Sequence, residues 1–381
     1  MKKTLLILLT ALLFLGAVFF PAQAVFGDTA VPLNISAKEA FIMEYETGKV
    51  LFEKDATKAR PIASMIKIMT LNIIYDAVKE GKISLKDDIR VSPNAASMGG
   101  SQVFLDANTV HKAENLIKSI IIASANDSCV AMAEHISGSV EGFVSLMNKK
   151  AKSLGLVNTN FTNCTGLPSP EQFSCAKDVA TMMRELIKHP HFFTCSKIWM
   201  EDYTHPDGRV TQMTNTNKLS RFYEGCDGGK TGFTNESMHC LCATATRKGT
   251  RYIAVVIAAP DSKTRFGEVS KMLDYAFANY ECKVFMDASQ QQSIEVRGGK
   301  QKTVAVLPSH KLAVFGKKGS IEGEVAIELP LSIKAPIKQG DVIGIAYVKH
   351  GDKIVAKTDL IAAKTVESKS YGDCLKDLLK A

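Results

Sequence analysis

Ser64-Met65-Ile66-Lys67 places a hydroxyl and an amine three residues apart. On a helix that spacing is one turn along one face. If a helix opens near Ser64, the hydroxyl also sits at its positive end, where unpaired backbone N–H groups gather. An amine so placed can take the serine proton and leave a nucleophile, provided the amine is neutral. Neutrality needs burial or a second cation to depress the lysine pKa. The same spacing recurs at Ser174-Cys175-Ala176-Lys177, so the pair alone is a weak signal. There the serine reads as the N-cap of a helix running into Val179-Ala180-Thr181-Met182.

The first pair has company. Ser124-Ala125-Asn126 follows it, and then Lys230-Thr231-Gly232, a triplet that occurs once in the chain. At a helix–helix turn, Ser124 and Asn126 can relay a proton and hold a substrate amide. Lys230 on an edge strand supplies a second positive charge facing Lys67. Thr231 can hydrogen-bond a substrate carboxylate, and Gly232 lets backbone approach backbone. In that order the three motifs form the signature of the penicillin-binding and β-lactamase superfamily.

The segments Pro61 to Ser64, Lys67 to Thr70, Ser124 to Asp127 and Asp227 to Thr234 resemble those of the low-molecular-mass penicillin-binding proteins. These are serine-type D-alanyl-D-alanine carboxypeptidases (peptidase S11-like). The resemblance covers most of residues 36–281, and a trailing β-rich domain is also a family trait. It implies that Ser64 is the nucleophile and Lys67 the base. Ser124, Asn126 and Lys230 would support proton transfer and substrate placement, with Thr231 and Gly232 on the substrate strand. The backbone N–H groups of Ser64 and Phe233 would form the oxyanion hole. Arg265 is similar to the family arginine that attracts the terminal carboxylate, a task suited to its fork of donors.

The implied substrate is a peptidoglycan stem peptide ending in D-Ala-D-Ala, attacked at its penultimate residue, with water hydrolysing the acyl-enzyme. β-Lactams would be covalent inhibitors, and no cofactor or metal is implied. Ile66 stands where the family often has threonine and Ala125 where it often has glycine, which puts turnover rate and β-lactam sensitivity in question. One alternative is a β-lactamase, but Glu171 is the only carboxylate between Leu167 and Ser174, with no asparagine soon after it. A non-catalytic wall-binding or β-lactam-sensing protein is the other, and it should have lost a reacting residue. None of the five is missing.

These residues must be held by a folded frame. Phe41 to Tyr45 and Lys49 to Phe52 read as a hairpin. Met65 to Lys79 is apolar around much of its circumference, hence a buried helix. Helical stretches follow at 113–125, 128–136, 140–154 and 175–188. A second hairpin spans 239–246 and 252–259, and a helix runs from Arg265 to Tyr280. Strands at both ends with helices between predict an α+β fold, an antiparallel sheet against a helical region. Past Cys282, short β-branched segments separated by Gly, Pro and Asp predict a small all-β domain. The predicted division is 25–283 for the catalytic domain and 284–365 for the β domain.

The N-terminus sets the compartment. Lys2 and Lys3, the apolar run Leu5 to Phe20 and the small residues Ala22-Gln23-Ala24 predict a signal peptide, 1–24, and an exported mature chain of about 357 residues. That length favours two domains. The net charge of +8 includes those two lysines, and no basic run is dense enough for nucleic acid. Nine cysteines in an exported chain raise the question of disulfides, but the odd count gives no framework. Cys240 and Cys242 alternate onto one strand face, so packing is favoured over zinc despite His239 alongside. Residues 366–381 carry Tyr371, Leu375, Leu378 and Leu379 at helical spacing. An amphipathic helix on a membrane surface is one reading, and docking on its own protein is the other.

Overall fold

The computed structural model describes residues 33–373. Its central sheet has five antiparallel strands in the order Val50–Lys54, Glu39–Glu44, Thr250–Ala259, Met238–Arg247, Cys226–Thr234. Strands from both ends of the domain therefore share one sheet, and the expected α+β architecture is what forms. The strand Glu39–Glu44 is buried throughout and Thr250–Ala259 nearly so, because helices cover both faces. Cys226–Thr234 is left at one edge of the sheet.

The helix Lys67–Lys79 runs through the core, with Ile68, Met69, Leu71, Ile74 and Tyr75 buried. Each such side chain contributes about 2 kcal/mol on leaving water. Helices Ala113–Ile122, Asn126–Ser137, Val140–Ser153 and Ala176–Leu186 complete the helical region. The first of these stops earlier than its expected end at 125, because residues 123–125 form the turn into the next. On the other sheet face lies Ser262–Asn279, capped by the Asp261 carboxylate accepting from Thr264 N at 2.8 Å.

The second Ser-x-x-Lys corrects one expectation. Ser174 is not the N-cap: the helix Ala176–Leu186 has Cys175 there, with no side-chain cap bond. Ser174 is spent elsewhere. Its backbone bridges Arg60 in both directions, at 2.8 and 3.0 Å, and its hydroxyl lies 2.8 Å from Thr159 Oγ1.

Beyond the last helix, strands fold into a β domain around Ile294, Val296, Val304, Val306, Val348 and Leu360. A six-stranded sheet and the pair Tyr280–Met286 with Leu312–Lys317 build it. The strand Tyr280–Met286 crosses position 283, and by its pairing it belongs to this domain.

All eight described cysteines are free thiols, and seven of them are buried. Cys240 and Cys242 sit side by side on the same sheet face as packing residues. Among the described residues no helix is long and apolar enough to cross a membrane. The predicted leader, 1–24, and residues 374–381 of the predicted C-terminal amphipathic stretch lie outside the described residues.

Candidate active site

Ser64 sits in one 3-10 turn, Ala63–Ile66, that feeds directly into the helix Lys67–Lys79. The entry is strained. Ala63 holds φ at +46°, in the left-handed region that L residues avoid. Close packing on two sides holds it there. A Cβ on Gly166 would lie 2.2 Å from Ala63 O, and one on Gly232 would lie 2.5 Å from Ile62 O. Two glycines, from the loop 163–167 and from the edge strand, thus let backbone meet backbone around the serine turn.

Lys67 is wholly buried. Its Nζ lies 3.1 Å from Ser64 Oγ, 2.6 Å from Asn126 Oδ1 and 2.5 Å from the Thr165 carbonyl oxygen. A neutral amine has two N–H donors and one lone pair. As an ammonium, Lys67 donates to all three oxygens; in the neutral form, two donors can stay on Asn126 and Thr165 while the lone pair faces the serine hydroxyl. Burial holds the Lys67 amine below the ordinary lysine range. Lys230 is buried as well, and burial first, then the charge of Lys67, holds it well below that range. Two buried ammonium groups repel, so the pair sheds a proton more readily than either lysine alone.

The supports of Lys67 come from three segments. Asn163 Oδ1 accepts from Thr165 N at 3.1 Å and from Gly166 N at 2.8 Å, which shapes the loop that presents the Thr165 carbonyl. Thr70 Oγ1 donates to Cys164 O at 2.7 Å and ties that loop to the helix of Lys67. Asn126 opens the helix Asn126–Ser137, donating from Nδ2 to Gly99 O and from its backbone N to Ser101 O, each at 2.7 Å. Just before it, Ser124 holds φ at +64° and is buried, and among the described residues its hydroxyl has no hydrogen-bond partner.

The edge strand is braced from beneath. Arg251 donates to both oxygens of Asp227 at 2.7 Å, a planar fork that fixes the strand two residues before Gly229-Lys230. Along it Lys230 and Thr231 are buried, whereas Phe233 is 55% exposed and stacks on His239. Arg265, in the first turn of Ser262–Asn279, donates from Nη1 to Gly232 O at 3.1 Å and Cys240 O at 3.4 Å. Its Nε is buried and has no hydrogen-bond partner among the described residues.

Ser64, Lys67 and Asn126 are therefore joined by hydrogen bonds, Lys230 is coupled to Lys67 by charge, and Arg265 lies against Gly232. Ser124 is close in sequence to Asn126 but makes no bond to the others. Sequence reasoning missed the carbonyls of Thr165, Gly99 and Ser101 and the close approach of Gly166. Backbone groups leave no residue-type trace; the Asn163-to-Gly166 turn and Gly99-Gly100 are the only local hints. Glu171, the one carboxylate in the loop before Ser174, is exposed and holds φ at +60°, with its carbonyl taken by Asn160 Nδ2.

Residues 26–261 match the D-alanyl-D-alanine carboxypeptidase family, and residues 281–368 match the C-terminal domain of penicillin-binding protein 5. The D-alanyl-D-alanine carboxypeptidase DacF of Bacillus subtilis is 39% identical over 378 residues, 98% of this chain and 96% of its own length. Among solved structures, penicillin binding protein 5 from Haemophilus influenzae superposes with a TM-score of 0.70 at 31% identity, covering 88% of this chain and 98% of that one. The carboxypeptidase DacD from Francisella tularensis gives a TM-score of 0.67 at 28% identity, covering 88% and 94%.

Proposed function

The chain belongs to the D-alanyl-D-alanine carboxypeptidase family, and from that premise we propose that Ser64 is its nucleophile and Lys67 the base that activates it. The protein is a serine-type D-alanyl-D-alanine carboxypeptidase, a hydrolase, with a domain like that of penicillin-binding protein 5 behind it. The observation that carries the assignment of roles is the Lys67 amine, buried, below the ordinary lysine range and 3.1 Å from the serine hydroxyl.

In this reading a peptidoglycan stem peptide lies antiparallel beside the edge strand. Thr231 and the Arg265 guanidinium take its terminal carboxylate, whose negative charge favours the proton on Lys230 and leaves Lys67 neutral. Lys67 accepts the Ser64 proton as Oγ bonds to the penultimate carbonyl carbon. Backbone N–H groups of Ser64 and Phe233 stabilise the oxyanion. The C–N bond then breaks, and the leaving amine takes a proton relayed from Lys67 through Ser124. Water hydrolyses the ester with the same lysine as base. The unpartnered Ser124 hydroxyl suits a relay, because no protein bond must break before it moves.

A β-lactam enters the same path and stalls as an ester on Ser64. An exposed Glu171 supports slow release of that ester over the fast turnover of a β-lactamase. The catalytic domain runs from residue 25 up to the strand Tyr280–Met286, which opens a β domain ending near 365; 1–24 is a leader removed on export, and the C-terminal stretch contacts either a membrane surface or its own protein. D-alanine release from a peptide ending in D-Ala-D-Ala tests the roles: Ser64→Ala should abolish it, and release at the normal rate refutes them.

A further inference from the structure

Asp127 follows the Ser-x-Asn motif, is fully buried, and takes no part in the chemistry above. Its carboxylate accepts from Val103 N and Leu105 N, both at 3.1 Å to Oδ2, and from Ser128 N at 2.9 Å to Oδ1. All of these partners are N–H donors, so the pocket fits a group that only accepts. A carboxylate does so; a carboxamide would have to turn an N–H toward another N–H or leave donors unpaired.

The loop held in this way is the one that seats Asn126. Ser101 O takes the Asn126 backbone N–H and Gly99 O takes its side-chain amide, while Asn126 Oδ1 faces Lys67 Nζ at 2.6 Å. The outer side of the loop is clipped separately: Arg209 pairs with Asp106 and donates to Phe104 O at 3.1 Å, and Thr211 Oγ1 donates to Val103 O at 3.3 Å. The loop thus has a buried anchor and a surface clip, and only the anchor adjoins the asparagine.

We propose that Asp127 is a positioning residue for the serine–lysine pair, fixing the 99–105 loop so that its carbonyls orient the Asn126 amide and Asn126 Oδ1 in turn orients the Lys67 amine. The inference rests on the assignment of Ser64 and Lys67 above, and wild-type acylation at Ser64 tests that assignment separately. Supporting groups one step behind a reacting one typically matter by 10- to 100-fold.

The experiment compares the full-length wild type with Asp127→Asn, and with Asp178→Asn as a control. Asp178 is another buried carboxylate, accepting from Asn158 N at 3.0 Å and Thr159 Oγ1 at 2.8 Å, with no hydrogen bond to the site. The readouts are melting temperature, the second-order rate of acylation by a fluorescent penicillin, and the acid limb of that rate. The charged and titratable groups near the Lys67 amine are Asp127, Lys230 and the thiols of Cys129 and Cys164. Loss of either the Asn126 oxygen or the Asp127 charge lowers the Lys67 pKa, so the limb moves to lower pH.

Expected for Asp127→Asn is acylation slowed about ten-fold or more with the limb displaced downward, while Asp178→Asn melts lower and acylates normally. An Asp127→Asn protein that melts lower yet acylates at the wild-type rate, with its limb unmoved, overturns the proposal. Should that variant not fold, Gly100→Ala reads the same lever without touching a buried charge. Gly100 is exposed with φ +78°, and an added Cβ would press on Asn126 Nδ2 at 3.0 Å. Slower acylation in Gly100→Ala supports the proposal, and an unchanged rate overturns it.

Discussion

Gly232→Ala adds one carbon where the edge strand meets the serine turn. That carbon would lie 2.5 Å from Ile62 O, 3.2 Å from Ala63 Cβ and 3.3 Å from Met65 N. A methyl carbon does not approach a carbonyl oxygen closer than about 3.0 Å, so strand and turn must part by about 0.5 Å. The strand carries Lys230, Thr231 and the Phe233 N–H, and the turn carries Ser64. The two halves of the site therefore separate by that distance. Misplacement by about 1 Å costs on the order of 100-fold in rate, so about ten-fold is expected here, with a stability loss of about 1–3 kcal/mol from overpacking. Stopped-flow acylation by a fluorescent penicillin, done well below the melting transition, separates the two effects. Acylation within two-fold of wild type would refute the argument that Gly232 sets the distance between strand and nucleophile.

Three further outcomes follow from the same geometry. Lys230→Gln removes one of two like charges in the cavity, so Lys67 keeps its proton to higher pH and the acid limb of acylation should move upward; a limb that stays or falls counts against the coupling. Arg265→Ala should raise KM for a D-Ala-D-Ala peptide about ten- to a hundred-fold with a smaller change in kcat, because a charge-assisted bond to a carboxylate contributes about 1.5–3 kcal/mol. Equal losses in both parameters would place Arg265 in the reaction step instead. Among the eight described thiols, brief alkylation of the native protein at neutral pH should spare the seven buried ones and label Cys282 only slowly, because burial first and then the neighbouring Glu44 push that half-buried thiol well above the ordinary range; rapid labelling of any of the eight counts against the packing described.

The frame was legible where side-chain pattern carries it. The apolar run through 65–79 announced a buried helix because nearly every face of it is covered. The strand-like runs 239–246 and 252–259, joined by a Lys248-Gly249 turn, announced a hairpin, and both strands lie buried inside one sheet. Element ends were less legible, since capping competes with tertiary contacts. Ser174 has the residue type of an N-cap, but the bridge to Arg60 claims its backbone and leaves Cys175 at the cap.

The site divides along the same line. The roles proposed for Ser64, Lys67, Asn126 and Lys230 rest on side chains, which show in residue type and spacing. Thr165, Gly99 and Ser101 act through carbonyls, and any residue has one. Gly166 acts by having no side chain, so its importance appears only once Ala63 O is found against it. Asp127 gives no sign of its role in residue type; its burial and its three backbone donors show it.

The most direct test of the account is intact-mass spectrometry of the protein after incubation with penicillin, followed by peptide mapping. The account predicts one adduct per chain, on Ser64, persisting for minutes and absent in Ser64→Ala. No adduct, or one on Ser124 or elsewhere, would contradict the assignment of the nucleophile.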